Sequence, residues 1–169
     1  QRALHSSSSL KTNYKIIPED VQINIYPSTR IPESYINSQN LRFSVYKDFV
    51  DASNHKELDY ILNNIVNRFG KPPSSLTCLI NEYKLKLSCS RAGFSSIVNK
   101  GCGIVLEYST INEKDSISCF FDKVNSFFSQ QNISFHFLPN SSDFVGLCVH
   151  FKNNINIFSL LSVFLNKFI

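Results

Sequence analysis

The spacing of apolar positions along this chain changes several times, and each change predicts an element. Val21, Ile23 and Ile25 alternate with polar neighbours and stop at Pro27, the pattern of a half-buried strand. Pro32 keeps the following residues extended. From Ser38 the period lengthens: Leu41, Val45, Tyr46, Phe49 and Val50 recur at three- and four-residue intervals, the stripe of an amphipathic helix. Asn54 opens a second helix, with Glu57 three residues on to complete a capping box and Leu58, Ile61, Leu62, Ile65, Val66 and Phe69 on its apolar face. Gly70 is the expected residue past the end of that helix, and Pro72-Pro73 forbid its continuation. Ser74 or Ser75 is then expected to cap a third helix that carries Leu76, Leu79, Ile80, Tyr83 and Leu87 as far as Gly93.

After Gly93 the period returns to two. Phe94 to Val98 and Ile104 to Tyr108 flank Asn99-Lys100-Gly101-Cys102-Gly103, whose glycines suit a hairpin turn. A fourth helix is expected from about Ser116, with Ile117, Phe120, Phe121, Val124, Phe127 and Phe128 on one side. A second hairpin follows, in which Ile133, Phe135 and Phe137 face Val145, Leu147, Val149 and Phe151 around Pro139-Asn140-Ser141-Ser142. A last helix spans roughly Ile155 to Phe168. The order β-ααα-ββ-α-ββ-α predicts an α+β domain whose strands pair mainly as antiparallel hairpins packed with amphipathic helices.

Composition sharpens this picture. A chain of 169 residues, 43% hydrophobic and 13% aromatic, is long enough to bury one sizeable core, and fifteen Phe with no Trp or Met make that core Phe-rich. The missing Met and a start at Gln1 before a Ser-rich run suggest a piece of a longer or processed chain. Residues 1–18 read as a linker from an upstream domain, and 19–169 as a single α+β domain. No apolar run reaches the ~18 residues of a membrane span. The net charge of +4 arises from 17 basic and 13 acidic residues that are interspersed, a weak signal for nucleic acid. Five cysteines without a C-x-x-C pair give neither a disulfide framework nor a zinc knuckle, and a reducing cytosol fits them best.

Candidate chemistry is sparse. The five glycines form no phosphate loop, so ATP hydrolysis is not expected of this chain. Cys102 between two glycines reads as part of a hairpin turn rather than a catalytic thiol, because no His or helix N-terminus is implied beside it. His136, Cys148 and His150 suggest a metal site only if the second hairpin brings them together. Aligning its apolar residues places Phe135 opposite Val145 and Ile133 opposite Leu147. That register puts His136 near Phe144 and His150 opposite Gln130, so the three are expected to be separate residues of an exposed face. The segment from Arg42 to Lys47 mixes basic and aromatic residues as a base-stacking surface would, but helical spacing puts Tyr46 on the buried stripe, with Arg42 covering it.

The ordered set Pro32-Glu33-Ser34-Tyr35-Ile36, then Asn40-Leu41-Arg42-Phe43-Ser44-Val45-Tyr46-Lys47, then Glu57-Leu58, then Arg68-Phe69-Gly70 with proline beyond, resembles the C-terminal domain of the bacterial transcription-repair coupling factor family. Arg91-Ala92-Gly93 and the hairpin through Tyr108 are similar too, so the likeness covers roughly residues 19–109. Asn67 stands where an acidic residue often precedes the R-F-G triplet, and Asp48 where a second basic residue often follows Y-K.

The resemblance implies a non-catalytic regulatory module of a large ATP-driven DNA translocase of the bacterial cytoplasm. That parent releases stalled RNA polymerase and recruits nucleotide excision repair. ATP and Mg belong to its upstream motor, and this domain is expected to hold no cofactor and no metal. The module would act as a clamp on the upstream repair-protein-binding module of its own chain, masking the surface for the excision-repair A subunit. Arg42, Lys47 and Arg68 are the candidate residues of that intramolecular interface, and Phe69, Gly70 and Pro72 form a structural corner. An independent nucleic-acid-binding domain is the alternative, and a thiol enzyme using Cys102 a third reading.

Overall fold

The Ser38 side chain accepts a hydrogen bond from the Leu41 amide, and the first helix, α1 (Gln39–Asp51), starts there as its sequence predicts. The computed structural model describes residues 20–27, 29–109, 116–139, 144–151 and 156–169; the expected linker 1–18 lies outside them. A short strand, β1 (Gln22–Asn24), precedes α1. After it come α2 (His55–Phe69), α3 (Ser74–Ala92), β2 (Phe94–Asn99), β3 (Ile104–Ser109), α4 (Ser116–Gln130), β4 (Ser134–Phe137), β5 (Phe144–His150) and α5 (Ile157–Leu165). The predicted element order is the observed one, and the fold is mixed α+β.

The five strands form one sheet in the order β1-β2-β3-β5-β4. Both expected hairpins are antiparallel. β1 instead joins β2 in parallel, with Ile23 beside Ile97, because three helices intervene and return the chain to the same end of the sheet. The second hairpin differs from its predicted register by four residues: Phe135 pairs with Val149 and Phe137 with Leu147. A shift of four keeps every side chain on its predicted face, so apolar alternation alone cannot distinguish the two registers.

One face of the sheet carries the larger core. Ile97, Leu106, Leu147 and Val149 are fully buried there, with Phe120, Val124 and Phe128 of α4 and Leu161 and Phe164 of α5. Phe94 is the centre of an aromatic cluster, its ring meeting those of Tyr108, Phe120, Phe164 and Phe168 at centroid separations of 5.2 to 6.2 Å. A second core lies among α1, α2 and α3, where Phe49, Leu58, Leu76 and Ile80 are buried with Ile31 and Ile36. The long helix α3 serves both cores: Leu76, Leu79 and Ile80 face the helical layer, Leu85, Cys89 and Ala92 the sheet. Glu82 of α3, almost fully buried, accepts long hydrogen bonds of 3.4 Å from the Ile25 and Tyr26 amides, fastening the end of β1 to this shared helix.

Three local expectations differ. Val50 and Ile117, placed on apolar faces by spacing, are exposed. Pro73, not a serine, is the N-cap of α3, and no side chain caps that end; its carbonyl instead accepts from the Leu76 and Thr77 amides.

Candidate interaction surface

The residues of the family-like motifs meet one another. Asn54 caps α2 by accepting from the Glu57 amide, and the Glu57 carboxylate returns to the Ser53 amide at 2.7 Å and to the Asn54 side chain. Gly70 ends α2 with φ +80° and ψ −157°, a conformation open to glycine and strained for other residues, while its N–H donates to the Val66 carbonyl. The Gly70 carbonyl accepts from the Tyr35 hydroxyl at 2.7 Å, and the Tyr35 ring lies 5.9 Å from that of Phe69. Burial pushes the Tyr35 phenol above its ordinary value, so it stays protonated and able to donate. Tyr46 accepts from the Ile31 amide at 2.8 Å. Pro72 follows the corner as a half-buried residue ahead of α3.

Arg42, Lys47 and Arg68 do not converge. The Arg42 guanidinium donates to the carbonyls of Ile36 and Asn37 and pairs with Glu33 at 2.7 Å, its side chain 13% exposed. It holds the extended segment before α1 in place. Lys47 is exposed on α1, and Arg68, in the last turn of α2, is exposed with its guanidinium 5.3 Å from the neighbouring Phe69 ring.

Arg68 does line a groove of about 440 Å³ between α1 and α2, together with Phe69, Ile61 and Tyr60 of α2 and Asp48 and Asp51 of α1. The α1 bank carries the acidic Asp48 and Asp51, and the α2 bank carries both Glu57 and Arg68. The same two helices expose large apolar side chains: Phe43 is 61% exposed, Val50 50% and Tyr60, which lines the groove, 68%. Phe43, Lys47 and Val50 fall at i, i+4 and i+7 and share one face of α1. Spacing had assigned Val50 to the core and left Phe43 and Tyr60 out of account; the signal for them was an apolar residue off the main stripe.

The second hairpin also gathers side chains. With His136 paired to Cys148 and Ser134 to His150, the ring nitrogens of His136 and His150 approach to 3.1 Å, and the Cys148 thiol lies 3.9 Å from His150 Nε2. The expectation that these three residues lie apart is thus corrected; it rested on the register that the structure shifts by four.

The TRCF domain family model matches residues 26–118. The chain is similar to the transcription-repair-coupling factor of Rickettsia typhi, 25% identical over 127 residues that cover 75% of this chain and 11% of that protein. It is 28% identical over 109 residues to that of Buchnera aphidicola, covering 63% of the chain and 13% of that protein. A crystal structure of the C-terminal domain of transcription-repair coupling factor superposes with a TM-score of 0.70, over 86% of this chain and 88% of that one, at 15% identity, which shows a shared fold. The chain spans 11 to 13% of the length of these two curated relatives.

Proposed function

The chain belongs to the TRCF domain family, and from that membership we propose that it is the C-terminal, non-catalytic regulatory domain of a transcription-repair coupling factor. The supporting observation is the family match over residues 26–118, in a chain whose match spans only 11% of the first relative's length. In this reading the remaining length carries an ATP-driven translocase and a module that binds the excision-repair A subunit. The domain closes over that module and covers its binding surface until RNA polymerase is engaged.

The docking surface in this proposal is the exposed side of α1 together with the groove between α1 and α2. Its exposed Phe43, Val50 and Tyr60 supply apolar area, and Lys47 and Arg68 supply charge, whereas Arg42 is committed to holding the domain together. The acidic α1 bank of the groove favours a protein partner over nucleic acid, because Asp48 and Asp51 repel phosphates. A tethered contact of this kind needs only moderate strength. About 5.5 kcal/mol of differential binding swings a two-state population from 1:99 to 99:1, and the tether raises the effective concentration of one partner near the other.

The test compares the full-length protein with a version ending before Glu19 for affinity toward the excision-repair A subunit. Truncation is expected to raise the affinity. Equal affinities would overturn the masking role.

A further inference from the structure

We propose that His136, Cys148 and His150 form a binding site for a zinc-type divalent metal on the open face of the sheet, at its β4–β5 edge, with solvent completing the coordination. This goes beyond the clamp and does not depend on it.

The ligand set comes from strand geometry. Cys148 and His150 are two residues apart on β5 and so share a face, and His136 is the direct cross-strand partner of Cys148. One ligand atom from each lies within 4.8 Å of the other two, with His136 Nδ1 and His150 Nε2 3.1 Å apart and Cys148 Sγ 3.9 Å from His150 Nε2. Around tetrahedral zinc, bonds of ~2.0 Å to nitrogen and ~2.3 Å to sulfur put neighbouring ligand atoms roughly 3.3 to 3.6 Å apart. The three atoms already stand close to that spacing, and side-chain adjustments of about 1 Å complete it.

Hydrogen bonding selects the ligating tautomer. His150 Nδ1 lies 2.6 Å from the Cys102 carbonyl oxygen, which only accepts, so Nδ1 carries the proton. In the neutral ring the lone pair is then on Nε2, the atom that faces His136 and Cys148. A backbone carbonyl holding the far nitrogen is the support that metal-ligating imidazoles use. Without metal, His136 donates its Nδ1 proton to that lone pair. On binding, the His136 proton resides on its outer nitrogen, Nδ1 becomes a ligand, and the thiol proton of Cys148 passes to solvent as the metal–sulfur bond forms.

The β2–β3 turn packs against the site. A Cβ at Gly103 would lie 2.8 Å from the Val149 carbonyl oxygen and 3.0 Å from Cys148 Sγ, so only glycine lets this turn rest on β5. Its conformation is fixed by hydrogen bonds from the Lys100 amide to the Gly103 carbonyl and from the Gly101 amide to the Asn99 side chain. The turn thereby sets the Cys102 carbonyl against His150 Nδ1. One thiolate and two imidazoles suit zinc, with the fourth position left to solvent, and the bound ion would fix His150 between the β2–β3 turn and the β4–β5 edge.

The experiment titrates zinc into the 169-residue chain under reducing conditions against a chromophoric chelator, with cobalt as the spectroscopic probe. One zinc per chain is expected, a rise in melting temperature on binding, and a sulfur-to-cobalt charge-transfer band. Exposed His136→Ala, which leaves the core intact, should weaken binding about tenfold or more, and Cys148→Ser should abolish the band, while Cys119→Ser on α4 changes nothing. Zinc affinity unchanged by His136→Ala, or no stoichiometric binding, would overturn the site.

Discussion

The Tyr35 hydroxyl donates to the Gly70 carbonyl at 2.7 Å, joining the extended segment before α1 to the corner after α2. Both residues belong to the motifs that mark the family. Arg42 and Tyr46 behave alike: one holds the Ile36 and Asn37 carbonyls, the other the Ile31 amide. The motif set therefore records how a three-helix layer closes on itself.

Removing the Tyr35 hydroxyl by Tyr35→Phe should cost about 1 kcal/mol in urea unfolding, the usual worth of one internal hydrogen bond. The same residue carries a pH signature. Its folded-state value is raised above 10.0, so its contribution is fully present below that pH and is lost as pH rises through the raised value. Stability measured from pH 9 upward should therefore fall less steeply in Tyr35→Phe than in the parent.

Gly70 offers a different test, because nothing lies within 4 Å of where its Cβ would be. Space is free, and only the backbone conformation at φ +80° and ψ −157° resists substitution. Gly70→Ala and Gly70→Val should each cost roughly 1 to 3 kcal/mol in equilibrium unfolding. A neutral Gly70→Ala would mean that the corner relaxes to another conformation.

Arg42→Lys separates a structural cation from surface ones. A lysine ammonium cannot reproduce the planar fork that serves two carbonyls and Glu33. A loss of about 1 to 2 kcal/mol is expected in chemical denaturation, against changes within ~0.5 kcal/mol for Lys47→Ala and Arg68→Ala.

The element order was legible because each period change is a local property: the Asn54–Glu57 box, Gly70 before two prolines and the alternation in β2 all announce themselves within a few residues. What the sequence hid depends on distant partners. An even register shift leaves the Phe135, Phe137, Leu147 and Val149 faces unchanged, and with it vanished the contact between His136 and Cys148. Arg42 looked as available for docking as Arg68, since the carbonyls it holds become acceptors only once the segment before α1 folds back. The parallel β1–β2 pair was hidden for the same reason, three helices separating its strands.

The exposed side of α1, together with the groove between α1 and α2, gives the last prediction. Phe43 and Tyr60 are 61% and 68% exposed, so the isolated domain derives little stability from them, and the double substitution Phe43→Ser with Tyr60→Ser should leave its unfolding within about 1 kcal/mol of the parent. If the clamp closes through this face, the same change removes two aromatic anchors from a buried contact. Such anchors commonly contribute 1 kcal/mol or more apiece, and about 1.4 kcal/mol is a tenfold change in an equilibrium. In the full-length protein the closed state should then lose most of its population, and affinity for the excision-repair A subunit should rise toward that of the version ending before Glu19. The readout is a titration of three proteins: parent, double variant and truncation. Should truncation raise the affinity while the double variant matches the parent, the domain masks its partner through another surface.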